Sequence, residues 1–530
     1  MKKLMALILS IIMVLSLVAC GGGNDKAEDK GNNKTSTSTS TSDKKDEGKK
    51  EEATEARTVV IRTPDIFQSL NPWEATGYSD GFIFNHVYET LFYVDDEGQL
   101  IPVLAKDYTA SEDAMTYTIN LVEDAVYTDG TPFTAKDVVF TYTYAKDFTV
   151  GTANHSMVES VTAIDDYTVE FKLNTVDPLF LAYTGGMPIV SEKFVTENDG
   201  NIAGKVCGTG PYDLVSYDPA VKAVLTAKED YRLGAAEVKD FEIQYVADAS
   251  SALVSFEAGA LDLMAIPAEM VGSIQDSGKF NTERSTPMHT AIIALNNTVA
   301  PLDNKLVRQA LSYACNKEAM VMVAYEGQAD VARLQANTNC FGVDFSEAPD
   351  ISYNPEKAKE LLAEAGYPDG LNFADFGIHM DVIAGGYHEK IAQVFQQNLA
   401  DIGVTIELVS TEIPDEKAAS GDYAILNEGM SYRADFSYNK RHYGSIDGYT
   451  NWFRMEDEYV NEMFIKGDLE TDPEKRKDIY RELIAYIVDY CPNIPVFHKS
   501  SVYGWSKDLD GVQIYDNSAR PYFVYEWKWA

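Results

Sequence analysis

One short stretch of the chain matches the spacing of a known catalytic pattern. Residues 77–81 have the sequence GYSDG, the G-x-S-x-G spacing in which a serine acts as the nucleophile of a hydrolase. That arrangement requires a strand that runs directly into the turn and a helix that leaves it. A helix can begin near Phe82, but Asn71-Pro72 interrupts the approach and the nearest strand ends many residues earlier. A hydrolase that uses Ser79 is therefore not favoured by the sequence.

Metal and phosphate chemistry is not indicated either. His388-Glu389 lacks the second histidine, four residues on, that a zinc-protease helix carries. The loop 208–211 (GTGP) runs into a strand-like segment, so it offers a phosphate no helix N-terminus. The histidines are scattered without ligand spacing, at His86, His155, His289, His379, His388, His442 and His498. We therefore expect no cofactor and no structural metal.

Cys20 has the context of a lipid attachment site. Two lysines precede an apolar run at 4–17, which is shorter than the roughly 20 residues that span a bilayer and is typical of a secretory signal. The run ends in LVAC at 17–20, followed by three glycines. This pattern resembles a bacterial lipobox, in which the cysteine is acylated and becomes the mature N-terminus. We predict a signal peptide at 1–19, lipidation of Cys20, and attachment to the cell membrane on its extracellular or periplasmic face.

Residues 20–56 are predicted to form a disordered tether. After Cys20 they are Gly, Ala, Asn, Ser, Thr, Lys, Asp and Glu, with no aromatic residue and with a Thr-Ser repeat at 35–42. Such a segment buries too little apolar surface to offset the entropy of ordering. As a flexible coil of this length it would reach roughly 30–35 Å.

The charge of the chain excludes some partners. The 530 residues include 44 Lys and Arg against 83 Asp and Glu, which gives a formal net charge of −39. Nucleic acids and anionic lipid surfaces both require a basic face, so neither is expected as a direct partner. The 45% apolar and 24% charged residues are ordinary globular values. We expect a soluble, monomeric body that is held at a membrane only by lipid.

Four cysteines follow Cys20, at Cys207, Cys315, Cys340 and Cys491. Their wide, irregular spacing is not that of a zinc site or of a disulfide-dense scaffold. Cys315 falls on the apolar side of a predicted helix, where a buried free thiol is common. The sequence does not choose among the possible pairings.

The elements that must position any site alternate between helix and strand. Asn354-Pro355 predicts the start of a helix that Gly366 ends, and apolar residues within 387–402 predict a second helix that Gly403 ends. Alternation at 404–408 then predicts a strand, and a third helix begins at Asp472-Pro473. Helices that lead into strands are typical of an α/β protein.

Several segments, in order along the chain, resemble the family 5 solute-binding proteins of ABC importers, the oligopeptide, dipeptide and nickel type. The most specific is 116–142 (TYTINLVEDAVYTDGTPFTAKDVVFTY), which resembles the family signature. Further segments are 208–212 (GTGPY), 253–262 (LVSFEAGALD), Leu295-Asn296 with Asp303, 307–311 (VRQAL) and 354–370 (NPEKAKELLAEAGYPDG). Two positions depart from the family pattern: Val122 stands for a basic residue, and 431–436 (SYRADF) stands for a Trp-Gly-Ala-Asp-Tyr-like cleft motif.

The resemblance implies an α/β, two-lobed, periplasmic-binding-protein-like (type II) fold with an extra subdomain on the first lobe. It implies lobe I at 57–293 and 496–530, with the subdomain at about 78–205, and lobe II at 294–495. The lobe crossings are expected near 291–296 and 495–501. Ligand would close the lobes over itself, since only contacts with both lobes shift that equilibrium. The closed form would then engage the subunits of an ABC permease, without catalysis.

The resemblance also implies where the ligand lies. Asp435 matches the acidic residue that holds a peptide's ammonium group in the peptide-binding relatives, and Arg433 and Arg441 could hold a carboxylate in two hydrogen bonds. The other candidate ligand-binding residues are Tyr432, Tyr78, Ser79, Phe82, Gly186, Met187 and His379.

Three functions are compatible with the sequence. A peptide-binding lipoprotein of an importer is favoured over a protein of the same fold for an oligosaccharide or a nickel chelate. For nickel, His379, His388 and His442 are the candidate nitrogen donors. The third possibility is the hydrolase that uses Ser79.

Overall fold

The computed structural model describes residues 57–75, 78–95, 99–148, 157–444, 451–470, 472–514 and 523–530. The predicted signal peptide, Cys20 and the predicted tether lie outside these residues, as do Gly77 and His155. Residues Ala56–Ala530 form one compact unit. Within the described ranges, no helix combines the length and the apolarity needed to cross a membrane.

The strands are distributed along the whole compact unit. In chain order they are β1 (Val59–Thr63), β2 (Phe92–Val94), β3 (Leu100–Pro102), β4 (Ala105–Ala110), β5 (Thr116–Leu121), β6 (Val158–Asp165), β7 (Thr168–Leu173), β8 (Tyr212–Asp218), β9 (Lys222–Ala227), β10 (Asp240–Tyr245), β11 (Leu263–Ile266), β12 (Phe280–Arg284), β13 (His289–Leu295), β14 (Ala329–Val331), β15 (Leu371–Asn372), β16 (Met380–Ile383), β17 (Val404–Thr405), β18 (Leu408–Thr411), β19 (Ile425–Ser431), β20 (Asn493–Lys499), β21 (Val502–Ser506), β22 (Leu509–Asp510) and β23 (Lys528–Trp529).

The helices alternate with these strands. In chain order they are α1 (Tyr78–Val87), α2 (Ala135–Tyr144), α3 (Glu192–Glu197), α4 (Ala249–Glu257), α5 (Val271–Ser277), α6 (Lys305–Ala314), α7 (Lys317–Tyr325), α8 (Pro355–Glu364), α9 (Gly386–Asp401), α10 (Pro414–Ser420), α11 (Lys440–Tyr443), α12 (Glu458–Leu469) and α13 (Pro473–Tyr490). A π-helical turn at Phe180–Thr184 and a 3₁₀ turn at Phe436–Asn439 also contribute to the site described below.

The first lobe is built on a seven-stranded sheet in the order β12-β21-β11-β1-β10-β9-β8. β1 runs parallel to β10 and β11, and the remaining neighbours are antiparallel. Val59 and Ile61 pack into an apolar cluster on one face, whereas Val60 packs against a second cluster around Phe256 and Met264 on the other. Because successive strand side chains point to opposite faces, one strand serves both clusters.

The second lobe has a six-stranded sheet in the order β14-β20-β13-β19-β16-β18. Its central strand β13 sends Ile293 and Leu295 into one apolar cluster and Ile292 and Ala294 into another. Since both faces are covered, the strand is an almost continuous apolar run. The fold is thus α/β and two-lobed, as predicted.

Two short segments join the lobes. The chain passes from β12 in the first sheet to β13 in the second through residues 285–288, and from β20 back to β21 through residues 500–501. The two segments are paired, since Ser285 N donates to Ser501 O at 2.8 Å and Ser501 N donates to Ser285 Oγ at 3.0 Å. The predicted boundaries at 293/294 and 495/496 fall inside β13 and β20, which belong wholly to the second lobe. The boundaries therefore lie before His289 and after Lys499.

The extra subdomain is a four-stranded sheet in the order β4-β5-β7-β6, with α2 packed against it. Its apolar cluster begins at Leu91 and ends at Cys207. The prediction placed α1 in this subdomain, but Phe82, Ile83 and Val87 pack into the core of the first lobe instead. The subdomain therefore begins after α1, because the apolar face of that helix covers the first-lobe sheet.

The four cysteines that follow Cys20 are buried free thiols: Cys207, Cys315, Cys340 and Cys491. Burial raises the pKa of the Cys207 thiol to about 11 and that of Cys315 to about 12. All four therefore act as small apolar side chains of the core.

Candidate functional site

A cavity of about 1210 Å³ lies between the two lobes. Its first-lobe wall comes from residues near the end of α1, the β2–β3 hairpin, the π-helical turn and residues 231–233. Its second-lobe wall comes from residues 337–344, 432–435 and the start of α13, while 286–288 in a crossing segment also lines it. A typical small-molecule site measures roughly 300–1,000 Å³, so this cavity can hold a larger solute.

Residues 432–435 line the cavity as a continuous segment directly after β19. The Tyr432 N–H donates to Met288 O at 2.9 Å, and the Tyr432 hydroxyl donates to Pro287 O. On the other side, Phe341 N donates to Ala434 O at 2.7 Å. The segment is therefore held between a lobe-crossing segment and the 337–344 loop, with Tyr432 itself buried.

The Asp435 carboxylate is bound by Arg476 from α13. Arg476 Nη1 donates to Asp435 Oδ2 at 2.7 Å and Nη2 donates to Oδ1 at 2.9 Å. Oδ1 also accepts from Ser437 N at 2.9 Å, which caps the 3₁₀ turn. Burial opposes the charge on Arg476, but the neighbouring carboxylate of Asp435 raises the pKa of Arg476. The charge predicted to meet a ligand's ammonium group is thus already balanced within the protein.

Arg433 forms an aromatic cluster with Tyr183 and Tyr438. Its guanidinium carbon lies 5.4 Å from the ring centre of Tyr183, in the first lobe, and 5.2 Å from that of Tyr438, in the second. The two rings stack at 5.5 Å. Burial alone would raise the pKa of Tyr438, but the guanidiniums of Arg433 and Arg441 lower it. The cluster therefore joins the lobes around a positive charge.

A second buried ion pair stands in the first-lobe wall. Glu89 Oε1 accepts from the Tyr231 hydroxyl at 2.7 Å and from Arg232 Nη2 at 2.8 Å. The Glu89 side chain is only 5% exposed. Arg232 also donates to Val103 O at 3.1 Å, next to the β2–β3 hairpin. This pair therefore fixes part of the wall that faces the second lobe.

Other predicted residues divide between the cavity and the core. Gly186 and Met187 line the cavity, as do Tyr432, Arg433 and Asp435. Phe82 is buried in the first-lobe core, outside the lining. Arg441 donates to the Tyr438 hydroxyl at 2.6 Å and likewise does not line the cavity. α1 begins at Tyr78, whose side chain lies outside the described part of the molecule.

Ser79 is buried, and its hydrogen bonds go to non-catalytic groups. Its hydroxyl bonds to Thr63 Oγ1 and donates to Asp65 O at 2.9 Å. Neither partner can act as the imidazole base that a serine nucleophile requires. Ser79 therefore fixes α1 to the end of β1, and the structure gives the hydrolase hypothesis no support there.

The candidate nickel ligands do not converge on the cavity. His379 contacts Asp381, with Nε2 and Oδ1 3.4 Å apart, His388 bonds to Asn427, and His442 Nε2 donates to Ser431 O at 3.1 Å. None of the three lines the cavity. In the part of the chain that the structure describes, no group of three or more His, Cys, Asp or Glu side chains is arranged to hold a metal ion.

Residues at the site that were not singled out from the sequence include Glu89, Tyr183, Arg232 and Arg476. Arg476 carried a usable signal, because it lies one turn before Ile479 and Tyr480 on the inward stripe of its helix. A cation on an apolar stripe indicates a buried partner. Glu89, Tyr183 and Arg232 had no comparable signal, because their partners at the site are far away in the sequence.

Much of the chain is similar to a known family of proteins. Residues 99–446 match the model of the bacterial extracellular solute-binding proteins, family 5 Middle. The glutathione-binding protein GsiB of Pectobacterium atrosepticum is 29% identical over 384 residues, which cover 71% of this chain and 73% of the relative. The heme-binding protein A of Haemophilus influenzae is 28% identical over 469 residues, which cover 80% and 83%.

Solved structures agree with the fold. HbpA2 from Haemophilus parasuis superimposes with a TM-score of 0.80 at 24% identity, over 89% of this chain and 100% of that one. The oligopeptide-binding protein AppA from Bacillus subtilis, in complex with a nonapeptide, gives 0.74 at 21% identity, over 89% and 99%. These similarities confirm the two-lobed fold predicted from the sequence.

Proposed function

Because this chain belongs to the bacterial extracellular solute-binding proteins of family 5, we propose that it captures short peptides by lobe closure and delivers them to the permease of an ABC importer. The family consists of transport proteins rather than enzymes. The observation that carries the proposal is the cavity of about 1210 Å³, whose lining comes from both lobes. A solute that contacts both walls stabilises the closed arrangement by its differential affinity for it.

The size and the lining of the cavity favour a peptide. The volume exceeds that of sites for drug-sized molecules, so there is room for several amino-acid residues. Tyr93, Tyr108 and Tyr183 give the wall aromatic surface, which packs against varied side chains. The Bacillus subtilis neighbour holds a nonapeptide, and a Helicobacter pylori neighbour, DppA, holds the peptide STSA.

Attachment to the membrane by lipid at Cys20 is part of the proposal. It rests on the LVAC sequence at 17–20 and on the apolar run before it. Cys20→Ala should release the protein from the membrane fraction of the producing cell and abolish incorporation of labelled fatty acid. Cys207→Ala, which removes a buried thiol of the body, is the matched control and should leave both unchanged. Full membrane retention of the Cys20→Ala protein would contradict the lipid anchor.

Peptide binding is tested directly by calorimetry and thermal shift with defined pools of di- to pentapeptides. We expect binding and a rise in Tm, since a ligand specific for the native state stabilises it. Tyr183→Ala removes an aromatic wall that touches both the cavity and the other lobe, and it should weaken binding about tenfold or more. Tyr459→Ala is the control, because Tyr459 packs on Tyr486 outside the cavity lining.

Other solutes are distinct outcomes of the same test. Heat with an oligosaccharide or a nickel chelate, and none with peptides, would keep the transport role and overturn the peptide assignment. A heme ligand would do the same. Equal losses in the Tyr183→Ala and Tyr459→Ala proteins would contradict a site at the cavity between the lobes.

A further inference from the structure

Two carboxylates in the walls of the cleft, Asp435 and Glu89, are each bound to an arginine. Asp435 receives two hydrogen bonds from Arg476, and Glu89 receives one from Arg232, with all four side chains at most 16% exposed. The guanidinium of Arg476 or Arg232 already balances the negative charge that a ligand ammonium group would meet at each of these carboxylates, although Glu89 Oε2 has no hydrogen-bond partner within the described part of the chain. Removing one partner of a buried pair leaves the other charge uncompensated, which is strongly unfavourable. At these two positions the cleft therefore has little uncompensated negative charge for a cationic group of the ligand.

Arg433 differs from Arg476 and Arg232 in having no such partner. Among the residues that the structure describes, no carboxylate forms an ion pair with it. Its Nη1 donates to Tyr432 O at 3.1 Å, and its guanidinium lies beside the rings of Tyr183 and Tyr438. A guanidinium has five N–H donors, so donors remain for an acceptor in the cavity, which Arg433 lines.

The position of Arg433 links anion binding to lobe closure. Tyr183 belongs to the first lobe and Tyr438 to the second, and both rings contact the guanidinium. An arginine held against aromatic faces is oriented before the ligand arrives, which lowers the entropic cost of binding a planar carboxylate. Since the two rings come from different lobes, an anion bound at Arg433 in this cluster would interact with both lobes and so favour their closed arrangement.

Resting on the proposed function, we propose that the cleft recognises a peptide-like solute by an anionic group at Arg433, and that a free α-ammonium group is not required. The ligands are then anionic peptides, and peptides with a blocked amino terminus bind as well as those with a free one. The ammonium role predicted for Asp435 is thereby replaced by an internal ion pair with Arg476.

The test uses one pool of tri- to pentapeptides in three forms: with free termini, N-acetylated, and C-terminally amidated. The full chain is incubated with each form, retained peptides are identified by mass spectrometry, and the strongest is measured by calorimetry. N-acetylation should change the affinity by less than about threefold. Amidation of peptides without acidic side chains should weaken it about 10- to 100-fold, because a charge-assisted hydrogen-bonded pair is lost.

Two variants assign the effect to Arg433. Arg433→Gln should weaken the free-acid peptide by the same 10- to 100-fold factor and leave the amidated peptide unchanged, while Arg433→Lys should fall between. Arg333→Gln is the matched control: its guanidinium lies 4.6 Å from the ring centre of Phe345, outside the cavity lining, so binding should be unaffected. Circular dichroism and a urea titration on each variant establish that it is folded.

The outcomes separate this inference from the proposed function. If amidated peptides are retained and acetylated peptides are lost, the ligand's ammonium group is recognised, and the inference fails while peptide binding stands. If Arg433→Gln weakens acid and amide peptides equally, recognition of an anion by Arg433 is refuted. If no peptide is retained in any form, the proposed function fails, and this inference fails with it.

Discussion

At the scale of single residues, Asp435 and Arg476 form an ion pair with two hydrogen bonds in the wall of the cleft, with side chains 16% and 10% exposed. Arg476 also donates to Gly467 O at 3.0 Å and to the Tyr480 hydroxyl at 3.1 Å. The pair therefore ties the segment after β19 to α12 and α13. In this way the pair stabilises the fold independently of any contact with a ligand.

This pair gives a prediction about stability. Asp435→Ala and Arg476→Met should each lower the free energy of unfolding by roughly 3–5 kcal/mol, because each leaves a buried charge without its partner. The double variant should lose less free energy of unfolding than the two single variants lose together, and the difference should exceed about 1 kcal/mol. Urea denaturation of the four proteins measures this cycle, and simple additivity would contradict the pairing.

The sequence located one half of this pair but not the other. Asp435 and Arg433 were predicted at the cleft because they lie in a segment that resembles a family motif, and both line the cavity. Arg476 and Tyr183 come from elements far away in sequence. Which distant side chain completes a pair depends on how the lobes and helices pack, and a single sequence carries no record of that.

At the scale of elements, α1 is fixed to the first lobe by buried polar groups. The Asp80 carboxylate accepts from Gln68 N at 2.8 Å and is fully buried. Burial raises the pKa of Asp80 to about 6, although the N–H groups of Gln68 and Ser69 act in the opposite direction. The protonated form is therefore favoured by the folded state.

The raised pKa of Asp80 predicts how the stability of the fold depends on pH. A carboxyl group whose pKa is raised by folding stabilises the fold below about pH 4, and that contribution is lost as the pH rises through about 6. Asp80→Asn keeps a neutral side chain throughout. The free energy of unfolding of the variant, relative to that of the wild type, should therefore rise by roughly 3 kcal/mol between pH 4 and pH 8.

The measurement is urea denaturation of both proteins at several pH values. Asp230→Asn, at an exposed position, is the control and should follow the wild type at every pH. A constant difference between the Asp80→Asn protein and the wild type across this range would show that Asp80 has the same pKa in the folded and unfolded states.

Helix ends were predictable from local chemistry, whereas strand partners were not. The predicted helices at 354–366, 387–402 and from 472 are observed as α8, α9 and α13, and Asn354 Oδ1 accepts from Lys357 N at 3.0 Å as an N-cap should. The single strand expected at 404–408 is two short ones. β17 pairs with β15, and β18 pairs with β16. Side chains alternate in the same way in one long strand and in two short ones, so only the tertiary pairing distinguishes the two arrangements.

The lobe boundaries were misplaced for a related reason. β13 is an apolar, extended segment, which equally suits a strand inside a sheet and a strand that crosses between lobes. Its antiparallel pairing with β19 and β20 places all of it in the second lobe. The actual crossings are short and carry no hydrophobic pattern.

At the scale of the whole molecule, the two sheets have separate apolar clusters, and the lobes meet around the cavity. Charges of the second lobe act on Asp177 of the subdomain: burial raises the pKa of Asp177, the carboxylates of Asp468 and Asp435 raise it further, and Lys440 opposes the rise. In the part of the chain that the structure describes, the two sheets are linked covalently by the short crossings 285–288 and 500–501. This organisation suits a protein whose lobes close on a solute.

The proposed function requires a peptide in the space between the lobes. Its most direct test is native mass spectrometry of the protein purified without refolding, followed by release and sequencing of the bound molecule. We predict short peptides of mixed sequence, released together with a shift of the protein to its ligand-free mass. A glycan, a heme or a metal chelate in their place would contradict the peptide assignment.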